Sequence, residues 1–425
     1  MSERPLFDAE QRFACAHCGR CCRRLEIVVT AAEVEDYRKR RVERWFRESE
    51  GAAEGAVAGS PFEPMRGARG FYLIRQREGG TCGFLSPQGL CRLHEELGAS
   101  RKPLTCRMFP FRLHPTAPGP VMTASFACPT VVESQGPSLG EQARELRALA
   151  AQWSVVHPEP ERPVRIAGRR AIPAAALVTL REVLEGLLDR PGPDGRPDLR
   201  ANVGRMARTL EDLSRHRVLR LADERLAEYL ELTGRYAVRS DKPVPPRPPS
   251  RIGRLLFRGF LFSVAAARLQ TDNRAVSGLR LGLRLRLFRI LAHVHGLAPP
   301  AAGVDLGALR RVRAGLEDPE IHALAYRYLR GSVRTLGTGR RSLVEEAGVA
   351  VAVLNAALAL AAMAADRDGG AVSAHDVRDA LTEATDVTRA GERTPFGRVV
   401  TLLAAGVEPL YQLEAGGPFP VQATP

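Results

Sequence analysis

Cys15-Ala-His-Cys18-Gly-Arg-Cys21-Cys22 packs four thiols into eight positions near the start of a 425-residue chain. The other four cysteines, Cys82, Cys91, Cys106 and Cys128, follow within the first third, and none occurs later. So dense a run is hard to explain by core packing and points to metal ligation or to disulfides. Compartment separates the two, because disulfides persist where the surroundings are oxidising. The first thirteen residues are interrupted by charges and hold no apolar stretch, which predicts a cytoplasmic protein with reduced thiols. Vicinal Cys21 and Cys22 are also poor disulfide partners for each other, since neighbouring side chains diverge. A metal centre is therefore expected, with Cys15, Cys18, Cys21, Cys22, Cys82, Cys91, Cys106 and Cys128 as its ligands.

The spacing bears on the metal. A C-x2-C pair is common in zinc sites, whereas C-x2-C-x2-C suits three corners of an iron–sulfur cubane, with a remote Cys-Pro such as Cys128-Pro129 as a further ligand. The ferredoxin run would put its fourth cysteine where this chain has Leu25, so the match is partial. A [4Fe-4S] cluster is the expected cofactor, with zinc as the alternative. Eight thiols would satisfy two four-coordinate sites, or one cubane and a second site. Adjacent Cys21 and Cys22 are expected to serve different positions or different metals. His17, His94 and His114 are possible substitute ligands, though a supporting or surface role is expected while thiols suffice. Arg20, Arg23, Arg24, Arg92 and Arg107 stand beside the ligands and are placed to offset thiolate charge. Phe84-Leu85 and Phe109-Pro110-Phe111 are placed to keep water away.

Beyond residue 135 the character changes to long stretches of helical periodicity. The expected fold is mainly α: a small irregular α+β, metal-stapled N-terminal domain followed by a mostly helical C-terminal region. The expected divisions are 1–135 for the cysteine-cluster domain, 136–241 for a helical segment, 242–250 for a Pro-rich linker and 251–425 for an all-helical domain. In the first, strands are expected at 25–30 and 71–74, and Thr30-Ala-Ala-Glu33 predicts a capped helix running to about residue 46. Residues 51–60 read as flexible, and prolines between Cys82 and Cys128 leave room only for short elements. Helices are expected at 139–153, 173–189, 199–215, 219–232, 252–269, 274–295, 306–316, 319–335, 342–365, 374–389 and 395–413. The run 347–365 is polar only at Asn355, yet it is alanine-rich and flanked by charges. A buried core helix is expected there, and no membrane span.

The chain carries a net charge of +14, but 59 of its 62 basic residues are arginine, scattered along the sequence, and only Lys39, Lys102 and Lys242 are lysine. No basic run is interleaved with aromatics, so no nucleic-acid partner is expected.

Four separated motifs together resemble the CxxCxxCC, YkgJ-type family of zinc- or iron-chelating proteins. They are Phe13-Ala-Cys15-Ala-His-Cys18-Gly-Arg-Cys21-Cys22; Cys82-Gly-Phe-Leu85 with Gly89-Leu-Cys91-Arg-Leu-His94; Pro103-Leu-Thr-Cys106-Arg-Met-Phe-Pro-Phe111; and Ser125-Phe-Ala-Cys128-Pro-Thr130. The resemblance covers residues 13–130 and implies metal chelation, with the cluster as a working or structural centre. The layout of cysteines first and helices after is also similar to flagellin lysine N-methylases. That implies an alternative, a protein lysine N-methylase using S-adenosylmethionine on a protein substrate or partner. No G-x-G-x-x-G follows a strand, and a radical-type C-x3-C-x2-C would need a cysteine at Leu25. No Walker loop, H-E-x-x-H or G-x-S-x-G occurs, so catalytic and organic-cofactor residues are not read and enzyme status stays open.

Overall fold

The computed structural model describes residues 6–8, 10–49, 60–77, 80–115, 120–159, 162–239, 247–248, 250–270, 315–338 and 341–391. The expected helices at 274–295, 306–316 and 395–413, and most of the 51–60 and 242–250 stretches, lie outside the described residues.

Short elements make up the cysteine-bearing part: β1 (Leu6–Phe7), α1 (Arg20–Arg24), β2 (Val28–Thr30), α2 (Ala31–Lys39), α3 (Glu43–Ser49), β3 (Phe62–Pro64), β4 (Phe71–Ile74), α4 (Arg92–Leu97), α5 (Leu104–Met108), β5 (Phe111–His114), β6 (Val121–Ala124) and α6 (Pro129–Val132). The Thr30 capping box forms as its residues dictate. Thr30 Oγ1 accepts from the Glu33 amide at 3.2 Å, and the Glu33 carboxylate accepts from the Thr30 amide at 2.8 Å. The helix does not run on to residue 46. Arg41 adopts a left-handed φ of 55°, which reverses the chain so that Val42, Trp45 and Phe46 share the core of Val34 and Tyr37.

Two three-stranded sheets result. One is antiparallel in the order β2-β4-β3, with Val29 opposite Tyr72. The other is ordered β1-β6-β5, where β5 and β6 form a hairpin with Phe111 opposite Ala124, and β1 pairs parallel to β6. That pairing carries the chain before the cysteine run alongside the hairpin that leads to Cys128. Two small hydrophobic cores form here. Phe46, Phe62, Phe84 and Leu93 centre one, against which Cys22, Cys91 and Cys106 pack. Met122, Leu139 and Leu146 centre the other, which includes Cys128.

The helical part contains α7 (Ala143–Val156), α8 (Ala174–Leu188), α9 (Leu199–Leu213), α10 (His216–Leu219), α11 (Asp223–Arg239), α12 (Arg251–Gln270), α13 (Pro319–Arg334), α14 (Leu343–Asp368) and α15 (Ala374–Gly391). Its starts are capped by side chains: Asp198 for α9, Asp318 with Pro319 for α13, and a Ser342–Glu345 capping box for α14. One contiguous core joins α8, α9 and α11 to α12, α13, α14 and α15, so helices on both sides of the Pro-rich stretch share it. The apolar run 347–365 lies in α14. Its length and mean hydropathy of 2.1 would let it cross a membrane, but 89% of its most apolar window is buried among its neighbours, as expected of a core helix.

Candidate metal centre

Local backbone geometry aims the thiols. Gly19, at φ 67°, precedes α1; a Cβ there would stand 3.2 Å from the Gly89 carbonyl oxygen and 2.9 Å from the Arg23 guanidinium. Glycine therefore lets the cysteine run turn tightly against the 86–90 loop. The single turn of α1 sets Cys21 and Cys22 side by side, with sulfurs 4.0 Å apart. A tetrahedral zinc–thiolate site with bonds of about 2.3 Å has an edge of about 3.8 Å, close to this separation. The Cys82 amide donates to the Cys22 carbonyl at 2.6 Å, and a bridge between Leu85 and Cys91 brings in the next ligand. Cys91 stands at the N-cap position of α4 and Cys128 at that of α6, with the Cys128 sulfur 3.1 Å from Thr130 Oγ1. Cys106 rides on α5, which is pinned to the sheet by Thr105 Oγ1 donating to the Val28 carbonyl at 2.7 Å. Glu33, already in the α2 capping box, also accepts from the Leu104 amide at 2.7 Å.

Cys15, Cys18, Cys21, Cys22, Cys91, Cys106 and Cys128 line one cavity of about 470 Å³. Cys82 is buried behind it, within electrostatic reach of Cys21, Cys22, Cys91 and Cys106. The thiols thus fall into an inner group of five (Cys21, Cys22, Cys82, Cys91 and Cys106), while Cys128 interacts with Cys18, and Cys15 and Cys18 are exposed. All eight are free thiols. Among the described residues no three of His, Cys, Asp or Glu stand close enough to hold a single ion. The donor set is soft and suits a thiophilic metal, but it forms a ring around a space rather than a closed tetrahedron.

Charge within the ring is uneven. Thiol contacts with Cys22 lower Cys21 to about 7 and Cys91 to about 6, while Cys22 itself is pushed up. Burial raises Cys82 to about 11 and also raises Cys106 and Cys128. Lys102 lines the same cavity; burial depresses its ammonium, but Cys106, Cys91, Cys21 and Cys15 outweigh that and hold it above its usual value.

The arginines beside the ligands are engaged elsewhere. Arg24 pairs with Glu383 and Asp386 of α15, each at 3.6 Å, and Arg92 pairs with Glu95 and Glu96 of its own helix. Arg23 donates to the Cys18 carbonyl at 3.0 Å, and Arg107 to the Lys102 carbonyl at 3.1 Å and the Gln152 side chain at 3.0 Å. Arg20 faces Asp379, Glu383 and Asp386, with burial lowering its pKa.

His114 is no ligand: its Nδ1 lies 2.9 Å from the Thr338 carbonyl and its Nε2 3.0 Å from Thr123 Oγ1. His17 and His94 do line the cavity, their rings 4.7 Å apart and edge to face. Phe109 and Phe111 also line it, whereas Phe84 is fully buried in the first small core. Lys102 was not legible as a site residue from spacing, though its rarity as a lysine in an arginine-rich chain is a signal.

Comparison with known proteins agrees with this geometry. Residues 14–129 match the family model CxxCxxCC, described as "Putative zinc- or iron-chelating domain". No curated protein and no solved structure matches the chain. The match supports metal binding by the cysteine segment; it does not extend into the helical region, and a relation to flagellin lysine methylases is not shown.

Proposed function

We propose that the cysteine segment holds an iron–sulfur cluster and that this cluster is the working centre of the protein. One observation carries the reading: seven thiols line one cavity of about 470 Å³, more than a single four-coordinate ion can use. A polynuclear core takes one thiolate at each iron and so wants its ligands spread apart, whereas a lone zinc wants four converging on a point. The inner thiols Cys21, Cys22, Cys82, Cys91 and Cys106, together with Cys18 and Cys128, are the candidates to hold it. When bound, the cluster would supply one-electron chemistry. The protein's part is to fix the thiolates, offset their charge and limit water through Phe109 and Phe111. Exposed Cys15 and Cys18 leave the cavity in contact with solvent, which favours exchange of electrons or metal over a sealed structural staple. Eight free thiols also suit a reducing compartment, in keeping with a cytoplasmic protein.

Anaerobic purification with an absorption spectrum and metal and sulfide analysis tests this. A brown protein containing iron and inorganic sulfide is expected, and Cys91→Ser should lose both. Colourless protein with stoichiometric zinc overturns the iron–sulfur reading.

A further inference from the structure

We propose that Lys102 is the positioning residue of the metal centre, the built-in counter-charge that sets how firmly the thiols retain their metal and at what potential the centre takes up an electron. This rests on the reading of the cavity as a metal site.

Four segments converge on this side chain. Lys102 stands in the cavity wall within electrostatic reach of Cys15, Cys21, Cys91 and Cys106. No carboxylate pairs with its ammonium and no hydrogen bond engages it among the described residues, while Arg24 and Arg107 on the same wall are turned to α15 and Gln152. Its backbone is fixed: the Lys102 amide donates to the Ala99 carbonyl at 3.2 Å, its carbonyl accepts from Arg107 Nε at 3.1 Å, and Pro103 follows. The backbone that carries this cavity-lining side chain is thereby held at both its amide and its carbonyl.

The residue type carries the same message. In a chain with 59 arginines and three lysines, a lysine faces the thiols. An ammonium is a compact charge with three donors that fits between sulfurs, whereas a planar guanidinium needs an edge-on partner of matching width. A thiolate-bound core gains negative charge on reduction, so a fixed cation favours the reduced form and raises the potential. It also offsets thiolate repulsion whichever metal is bound.

The test uses the full chain purified anaerobically, with Lys102→Met, Lys102→Gln and Lys102→Arg. In an electrode-driven one-electron titration, Lys102→Met and Lys102→Gln should move the midpoint to more negative values, and Lys102→Arg, which keeps the charge but not the compact shape, should move it only part of the way. In chelator competition the Met variant should lose metal about tenfold faster, as when a partner of a metal ligand is removed. An unchanged thermal transition of the helical region separates this from a folding defect. Equal midpoints and equal retention in all forms overturn the proposal. If the protein proves to hold zinc, the cluster reading fails by metal analysis, and retention alone decides on Lys102: equal zinc loss from parent and Met variant overturns it.

Discussion

In the helical region, Leu180, Leu184, Leu187 and Leu188 of α8 and Leu354, Ala356 and Ala357 of α14 have no exposed surface, and all belong to one core. In the cysteine region, Phe84 and Met122 are equally buried, but they sit in separate small clusters with the thiol cavity between them. Cys22, Cys91 and Cys106 pack on one cluster and Cys128 belongs to the other. Apolar burial holds the first region together by itself. The second is divided by a cavity, and a metal gripped by thiols from both sides would join its halves. The difference teaches where metal energy goes: a structural metal commonly contributes on the order of 10 kcal/mol, comparable with the whole stability of a domain.

The largest expected effect follows directly. Stripping the metal with a chelator should collapse hydrogen-exchange protection in β2, β4, β5 and β6 by orders of magnitude, and leave α8 and α14 protected. Uniform loss across both regions, or no loss in either, would break the comparison. The reverse experiment comes next. Leu184→Ala removes a side chain with 0% exposure from the helical core and should cost about 3 kcal/mol in denaturant unfolding, while metal content per chain stays at the parent level. A matching drop in metal content would mean that the two regions fold as one unit.

A smaller effect is expected where the regions are clamped. The α15 carboxylates of Glu383 and Asp386 receive Arg24 from α1, and Arg378 of α15 pairs with Glu133, just past α6. Helix α15 therefore touches both segments that flank the cavity. Glu383 is only 4% exposed in its side chain, so Arg24→Ala would leave a buried carboxylate with Arg20 but without its ion pair to Arg24 and should cost about 2 kcal/mol, with faster exchange confined to α1 and α15. Faster exchange spread through α8 would argue that the clamp is not local.

Legibility in the sequence divides along the same line. Helices such as α8, α9, α13 and α14 carry apolar periodicity and caps within a single stretch, and 319–335 and 342–365 fall within a few residues of the observed ends. The Thr30–Glu33 box was readable for the same reason: both partners are three residues apart. The parallel pairing of β1 with β6 joins residues more than a hundred apart and left no local pattern. The turn at Arg41 carried no glycine or proline to announce it. At the site, the ligand types were legible from their density, but their grouping was not. C-x2-C-x2-C reads as three equivalent thiols, whereas Cys15 and Cys18 line the cavity as exposed residues and Cys21 is half-buried with Cys22 and Cys91. The role of Lys102 depends on four segments meeting, which no spacing encodes.

The last test concerns the join itself and has the smallest expected effect in mildly acidic solution, down to about pH 5.5. His114 of β5 bridges Thr123 of β6 and the Thr338 carbonyl in the turn after α13. A carbonyl only accepts, so Nδ1 carries the proton and Nε2 accepts from the threonine hydroxyl, which leaves a neutral ring satisfied on both sides. Burial lowers its pKa to about 3, against about 6.5 for an exposed imidazole. As pH falls the unfolded chain takes up the proton first, so this contribution is complete above about pH 6.5 and drains away toward pH 3, with about 1.4 kcal/mol gone at pH 5.5. Acid also releases metal from thiolates, which would mask so small a term in a single profile. The difference between the parent and His114→Gln cancels the thiol contribution, because His114 does not face the cavity. That difference should slope only below about pH 6.5; a flat difference would mean that the join between the two regions does not depend on the charge state of His114.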